Sequence, residues 1–311
     1  MATIEELKTQ ISSAQDLQSV VKTMKALAAV SIRQYEKAVE SLVEYNRTVE
    51  MGLQILLKQR HFAESFTIPR SLLNLSEAQS PSQSMIAIIF GSDQGLCGQF
   101  NQQIAHHAIA HLDQLDQLDQ LDQQDVSPEQ LAIAGVGARV IPSLETAGYG
   151  VTEAFPVPRS ASDITPQVQE IVLTIEQWRE ERQCDRILLF YNHPLSGASY
   201  ESRHLQLLPL DPEWLRQLEA REWATSMVPS YTMNWQQLFS ALIRQYLFVS
   251  LYQAFAASLA SENASRLSSM QSAQKNIDER LSDLNSQYRR QRQSSITAEL
   301  LDVVAGFEAL T

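Results

Sequence analysis

The sequence predicts an α/β protein: long N- and C-terminal helices that pair with each other, and between them in the chain a central α/β domain. Three observations predict it. All 11 prolines fall between Pro69 and Pro229, and Gly52 and Gly306 are the only glycines outside the span from Gly91 to Gly197, so both ends of the 311-residue chain are nearly free of breakers. Both ends carry apolar residues at steps of three and four. The middle instead carries short Ile/Val/Leu runs separated by helix-compatible stretches.

The first helix follows from Ile4, Leu7, Ile11, Ala14, Leu17, Val20, Met24, Leu27, Ile32, Tyr35, Leu42, Tyr45, Val49, Leu53 and Leu56, which read as one stripe. The last follows from Leu238, Leu242, Tyr246, Val249, Tyr252, Phe255 and Leu259, then from Ile277, Leu281, Leu284, Tyr288, Ile296, Leu300, Val303, Phe307 and Leu310. A helix of that extent runs on the order of 100 Å at ~1.5 Å per residue. Neither stripe is stable facing water, and each helix offers the other its nearest partner.

In the middle, MIAIIF (85–90), LAIAGV (131–136) and RILLFYN (186–192) read as buried strands bounded by Gly, Ser, Asn or Pro. GQFNQQIAHHAIAHL, ARVIPSLETAG and SDITPQVQEIVLTIEQWREERQC supply the intervening helices, an alternation that argues for a parallel sheet. GASYESRHLQLLPL adds an edge strand or hairpin. The expected segments are residues 1–68, 69–212 and 213–311. Residues 112–123 are four copies of Leu-Asp-Gln. A period of three matches neither 3.6 nor 2, so this tract is expected to lengthen a helix end or loop rather than build core or a metal site.

The net charge of -12 is uneven. Both end segments balance, and residues 69–229 hold the whole acidic excess with no lysine at all. That excludes a nucleic-acid surface there, which needs clustered cations. Neither a secretory leader nor a run of roughly 18 apolar residues is visible, so a soluble chain without membrane insertion is expected. Cys97 and Cys184 are expected as buried small groups, and His107 and His111, at i, i+4 spacing, as a solvated helix face.

No phosphate-loop, dinucleotide, HExxH or GxSxG pattern is present, so no catalytic residue, cofactor or metal is expected. One glycine cluster, GSDQGLCGQFN (91–101), follows the first strand and opens a helix. Gly91, Gly95 and Gly98 are read as a structural turn rather than a phosphate cradle.

Three segments carry a family resemblance. SDQGLCGQFN (92–101) resembles the S-D-x-G-L-C-G-x-F-N turn of the gamma subunit of F-type ATP synthases; VVKTMKALAAVSI (20–32) and YRRQRQSSITAELLDVVAGFEAL (288–310) are similar to the family's terminal helices. The resemblance implies an antiparallel coiled coil and a Rossmann-like central domain. It also implies a central rotor shaft: the coil inside a ring of alpha and beta subunits, the globular domain on the membrane rotor ring of c subunits beside the epsilon subunit. The chain would transmit torque and perform no chemistry itself, peripheral on the cytoplasmic face of a bacterial plasma or thylakoid membrane. A free-standing coiled-coil tether is the alternative.

By the same resemblance, Met24 and Lys25 face a moving loop of a beta subunit. Arg290, Arg292, Gln293, Thr297 and Glu299 bond to the surrounding ring, and Leu300, Leu301, Val303, Val304, Phe307 and Leu310 form an apolar tip turning in its sleeve. Ala26 and Ser31 stand where the family has Met and Lys, and the chain has only six lysines. These departures imply a divergent member, of either a main or an alternative F-type ATPase.

Overall fold

The computed structural model describes residues 3–59, 84–121, 131–182, 184, 186–195, 199–223, 227 and 229–308. Helix α1 (Ile4–Gln59) opens with a reciprocal cap: Thr3 N donates to Glu6 Oε2 at 2.8 Å, and Glu6 N donates to Thr3 Oγ1 at 3.2 Å. There follow β1 (Met85–Phe90), α2 (Phe100–Leu121), β2 (Leu131–Val136), α3 (Ile141–Thr146), β3 (Glu153–Phe155), α4 (Ile164–Arg182), β4 (Arg186–Pro194), β5 (Tyr200–Leu208), α5 (Pro212–Ala220) and α6 (Trp235–Glu308). The chain divides into two compact units, residues 31–265 and residues 1–30 with 266–311.

The larger unit is built on a five-stranded sheet of order β3-β2-β1-β4-β5. β1 pairs in parallel with β2 and β4, and β2 with β3, as the three apolar runs anticipate. β5 runs antiparallel to β4, so the expected edge element is a hairpin. The three residues of β3 were too few to leave a periodic signal.

Alternation along the strands feeds two cores. Ile86, Ile88, Phe90, Ala134, Ile187 and Leu189 face the side packed by α4, α5 and residues 31–59 and 235–265 of the long helices. Met85, Ala87, Ile89, Ile133, Leu188 and Phe190 face α2 and α3. Ala254, Ala256 and Ala260 bring α6 close to the sheet, where Phe255 meets Phe90 edge-on at 4.7 Å between centroids. The two long helices run antiparallel here, with Tyr45 Oη donating to Gln245 Oε1 at 2.6 Å and Trp235 Nε1 donating to Leu56 O at 3.4 Å.

α5 has its own start signal, Asp211 accepting from Glu213 N at 2.8 Å with Pro212 in the first turn. It is a separate helix, and α6 begins only at Trp235, beyond Pro229. The Leu-Asp-Gln tract continues α2 through Leu121, and residues 122 and 123 lie outside the described residues. Its start is more than surface. Leu112 is buried, Leu115 packs against the α2 core, and Asp113 accepts a hydrogen bond from Tyr149 Oη.

The smaller unit pairs residues 4–30 of α1 with residues 266–308 of α6. Lys25 Nζ donates to Gln274 Oε1 at 3.1 Å, and Gln18 Nε2 donates to Asp278 Oδ1. These bonds set an antiparallel register. The seam differs from the stripe the hydropathy suggests. On α1 its members are Leu7, Ile11, Ala14, Gln18, Val21, Lys25 and Ala28, all buried or half-buried, whereas Leu17, Val20 and Leu27 are exposed. The reason is period. Steps of three and four repeating every seven residues keep one seam on the partner helix, and small or polar residues at those positions hide it from a hydropathy reading.

Candidate functional site

On α6 the seam continues as Met270, Gln274, Ile277, Leu281, Leu284, Tyr288, Gln291 and Ser295. The register set by Lys25–Gln274 and Gln18–Asp278 places the start of α1 opposite the stretch from Gln293 to Ile296. α6 therefore outruns its partner within this unit. Ile296 is 47% exposed, Leu300 61%, Leu301 63%, Val303 71% and Val304 54%. A run of large apolar side chains left in water by both helices is a surface made to be covered. Phe307 lies in the last turn of α6, and Leu310 lies outside the described residues.

α1 presents a second uncovered face. Leu17, Val20, Leu27 and Val30 are each more than half exposed, and Met24 lies half-buried between this face and the seam. Sequence reading merged these residues with the seam because both sets recur at three and four. Lys25 lies on the seam, its ammonium directed to Gln274. Just before the tip, Arg290, Arg292, Gln293, Thr297 and Glu299 are all exposed. Arg290 Nε donates to Ser286 O at 3.4 Å, Thr297 Oγ1 to Gln293 O at 2.9 Å, and Ser295 Oγ to Glu299 Oε1 at 3.4 Å. Arg292 and Gln293 turn their side chains to solvent beside them.

The glycine-rich turn after β1 has a different character. Ser92 N donates to Asn101 Oδ1 at 2.9 Å, and Asn101 Nδ2 returns a bond to Ser92 Oγ at 2.8 Å. Asp93 accepts from Ala138 N and Val157 N at 2.9 and 2.8 Å, tying the turn to the segments after β2 and β3. Ser265 Oγ donates to Cys97 O at 2.6 Å, and Ser261 Oγ to Asn192 O at 3.0 Å. In open α/β sheets the crevice at the carboxyl ends of the strands, where the strand order reverses, is the usual ligand position. Here that crevice is filled by the chain's own Ser92, Asn101, Asn192, Ser261 and Ser265.

Glycine is required at two places in this knot. A Cβ on Gly91 would lie 2.6 Å from Val140 Cβ, and Gly98 has φ +57°. Gly95 has room for a side chain, the nearest atom being Arg139 Nη2 at 3.6 Å. Cys97 and Cys184 are buried, and Cys97 Sγ lies 3.7 Å from Asn101 Nδ2 inside the knot.

One cluster escaped the sequence reading. His107 and His111 are not a solvated face: both stack with His204 of β5, at centroid distances of 5.4 and 3.9 Å, above the buried ring of Phe190. Burial first and neighbouring positive charge second push both below the ordinary histidine value. The i, i+4 spacing on α2 was visible, but the third ring came from a strand 93 positions further along and carried no local signal.

These features define a class of protein that combines a paired helical unit with an uncovered tip and an α/β domain whose strand-end crevice is occupied by its own side chains. A family model described as ATP synthase matches residues 3–310. The chain belongs to the ATP synthase gamma-chain family. The ATP synthase gamma chain of Sulfurovum sp. (strain NBC37-1) is 28% identical, with all of both chains aligned; that of Chlorobaculum parvum is 27% identical over 100% of this chain and 99% of its own. Among solved structures, a chain of the Euglena gracilis mitochondrial ATP synthase (OSCP/F1/c-ring, rotational state 3) superposes with a TM-score of 0.58, covering 99% of this chain and 94% of that one at 16% identity. A chain of the Tetrahymena thermophila mitochondrial ATP synthase central stalk and c-ring gives 0.52, covering 82% and 99% at 20% identity. The mixed α/β fold with long terminal helices expected from the sequence is the one observed. No described helix is long and apolar enough to cross a membrane.

Proposed function

We propose that this chain is the turning shaft of an F-type ATP synthase. It transmits torque between the ion-driven c ring and the catalytic alpha/beta ring and performs no chemistry of its own. The observation that carries this reading is the uncovered tip of α6 together with the second apolar face of α1. Leu300, Leu301, Val303 and Val304, with Leu17, Val20, Leu27 and Val30, have no cover within the smaller unit and match the geometry of a shaft seated in a sleeve. An asymmetric shaft touches three equivalent catalytic sites differently, so each contact favours a different open or closed conformation, and rotation moves that bias around the ring.

In this reading Met24, Lys25, Arg290, Arg292, Gln293, Thr297 and Glu299 meet the alpha/beta ring, and the sheet domain rests on the c ring beside epsilon. The complex is then peripheral on the cytoplasmic face of a bacterial plasma or thylakoid membrane, with nucleotide chemistry in the beta subunits.

The test is direct observation of rotation. Cys97 and Cys184 are both buried, so a cysteine introduced at the exposed Thr165 of α4 can carry a probe selectively. With the alpha/beta ring fixed and ATP supplied, the probe should turn in one direction. An active ring with a stationary probe would overturn the assignment.

A further inference from the structure

His107, His111 and His204 form a contact between helix α2 and the edge strand β5 that depends on charge. His107 Nε2 and His204 Nδ1 lie 3.2 Å apart, a hydrogen bond between two ring nitrogens. Such a bond needs one neutral imidazole as acceptor; two imidazolium rings would set two N–H groups against each other. The His204 ring also stacks on His111 with planes 27° apart.

Among the described residues, the surroundings offer no relief when the rings charge. The other groups acting on the cluster, His106 of α2 on His107 and Arg186 of β4 on His111, both disfavour the charged imidazole. β1, also packed against α2, contributes only apolar residues to this face. Asp113 of α2 is bound by Tyr149, and on β5 Glu201 pairs with Arg203, both alternating to the opposite face beside His193.

We propose that the three imidazoles are an acid-sensitive latch: neutral, they close the β5 edge of the sheet onto α2, and on acidification mutual repulsion opens that edge. The inference is independent of the rotor reading, since it concerns only the sheet domain. The sign follows from linkage. His107 and His111 lie below 6.5 in the folded chain and return to it on unfolding, so the unfolded state binds more protons. Stability is retained above 6.5 and falls as pH drops through that value toward the lower folded ones.

Amide hydrogen exchange of the full-length chain, alone or in its complex, tests the latch at pH 7.5 and pH 5.5. Strands β1 and β2 serve as internal references, which cancels the intrinsic pH dependence of exchange. Protection of Tyr200–Leu208 should fall about tenfold more than that of the references. His204→Phe keeps a stacked ring but removes the third imidazole, and should shrink the difference. Equal loss in β5 and the reference strands, or an unchanged difference in the variant, would overturn the proposal. Should His204→Phe fail to fold, imidazole carbon resonances of the wild-type chain decide it: His107 and His111 must titrate below 6.5, and midpoints at or above that value end the idea.

Discussion

Ser92 and Asn101 hold each other by two reciprocal hydrogen bonds, the backbone N–H of Ser92 to Asn101 Oδ1 and Asn101 Nδ2 to Ser92 Oγ. The pair closes the turn between β1 and α2 at the carboxyl edge of the sheet. Asn101 is buried, so Asn101→Leu would leave the Ser92 N–H without its acceptor and should cost about 2 to 3 kcal/mol. Asn101→Asp keeps that acceptor and should cost less. The thermal midpoint of the full-length chain orders the two; a leucine variant as stable as wild type would show that the pair is incidental.

Asp93 accepts one backbone N–H on each carboxylate oxygen, from Ala138 and Val157. An asparagine can accept only one of them and turns an NH2 group toward the other. Because the side chain is exposed, the loss should be modest, about 1 kcal/mol. It should appear as faster amide exchange at Ala138 or Val157, with the rest of the sheet unchanged.

Removing two Leu-Asp-Gln triplets should leave stability within about 0.5 kcal/mol of wild type. The two remaining copies still supply leucine at 112 and 115 and aspartate at 113, the positions that pack or bond to Tyr149. Leu112→Ala, by contrast, opens a cavity in the α2 core and should cost about 2 to 4 kcal/mol. Denaturant titration of both chains separates length from packing.

If the band before the tip meets the alpha/beta ring, Arg292→Ala with Gln293→Ala should reduce coupled turnover several-fold while the seam, which uses neither residue, stays paired. Lys275→Ala is the control, since its ammonium lies on the exposed face 4.0 Å from Glu279. Reconstituted complexes assayed for both ATP hydrolysis and ion flux provide the measurement. Wild-type values for the double variant would mean that these side chains serve only as solvated helix surface.

Periodicity and punctuation were enough to read the architecture. Breaker-free ends gave α1 and α6, and MIAIIF, LAIAGV and RILLFYN gave the three central strands, because both signals are local and repeat many times. The motif SDQGLCGQFN likewise marked its turn and its family. Which residues face the partner helix was not legible, since Leu17 and Gln18 differ by a single step of the helix and hydropathy favours the wrong one. Only the paired helices settle that Gln18 and Lys25 lie on the seam and that Leu17, Val20 and Leu27 look outward. The α6 tip was implied by the family resemblance alone and not by periodicity, because its exposure depends on the antiparallel register of α1 against α6. The closing of the ligand crevice by Ser261 and Ser265, and the meeting of His204 with His107 and His111, join residues far apart in sequence. Such contacts exist only once the sheet has brought the strands together.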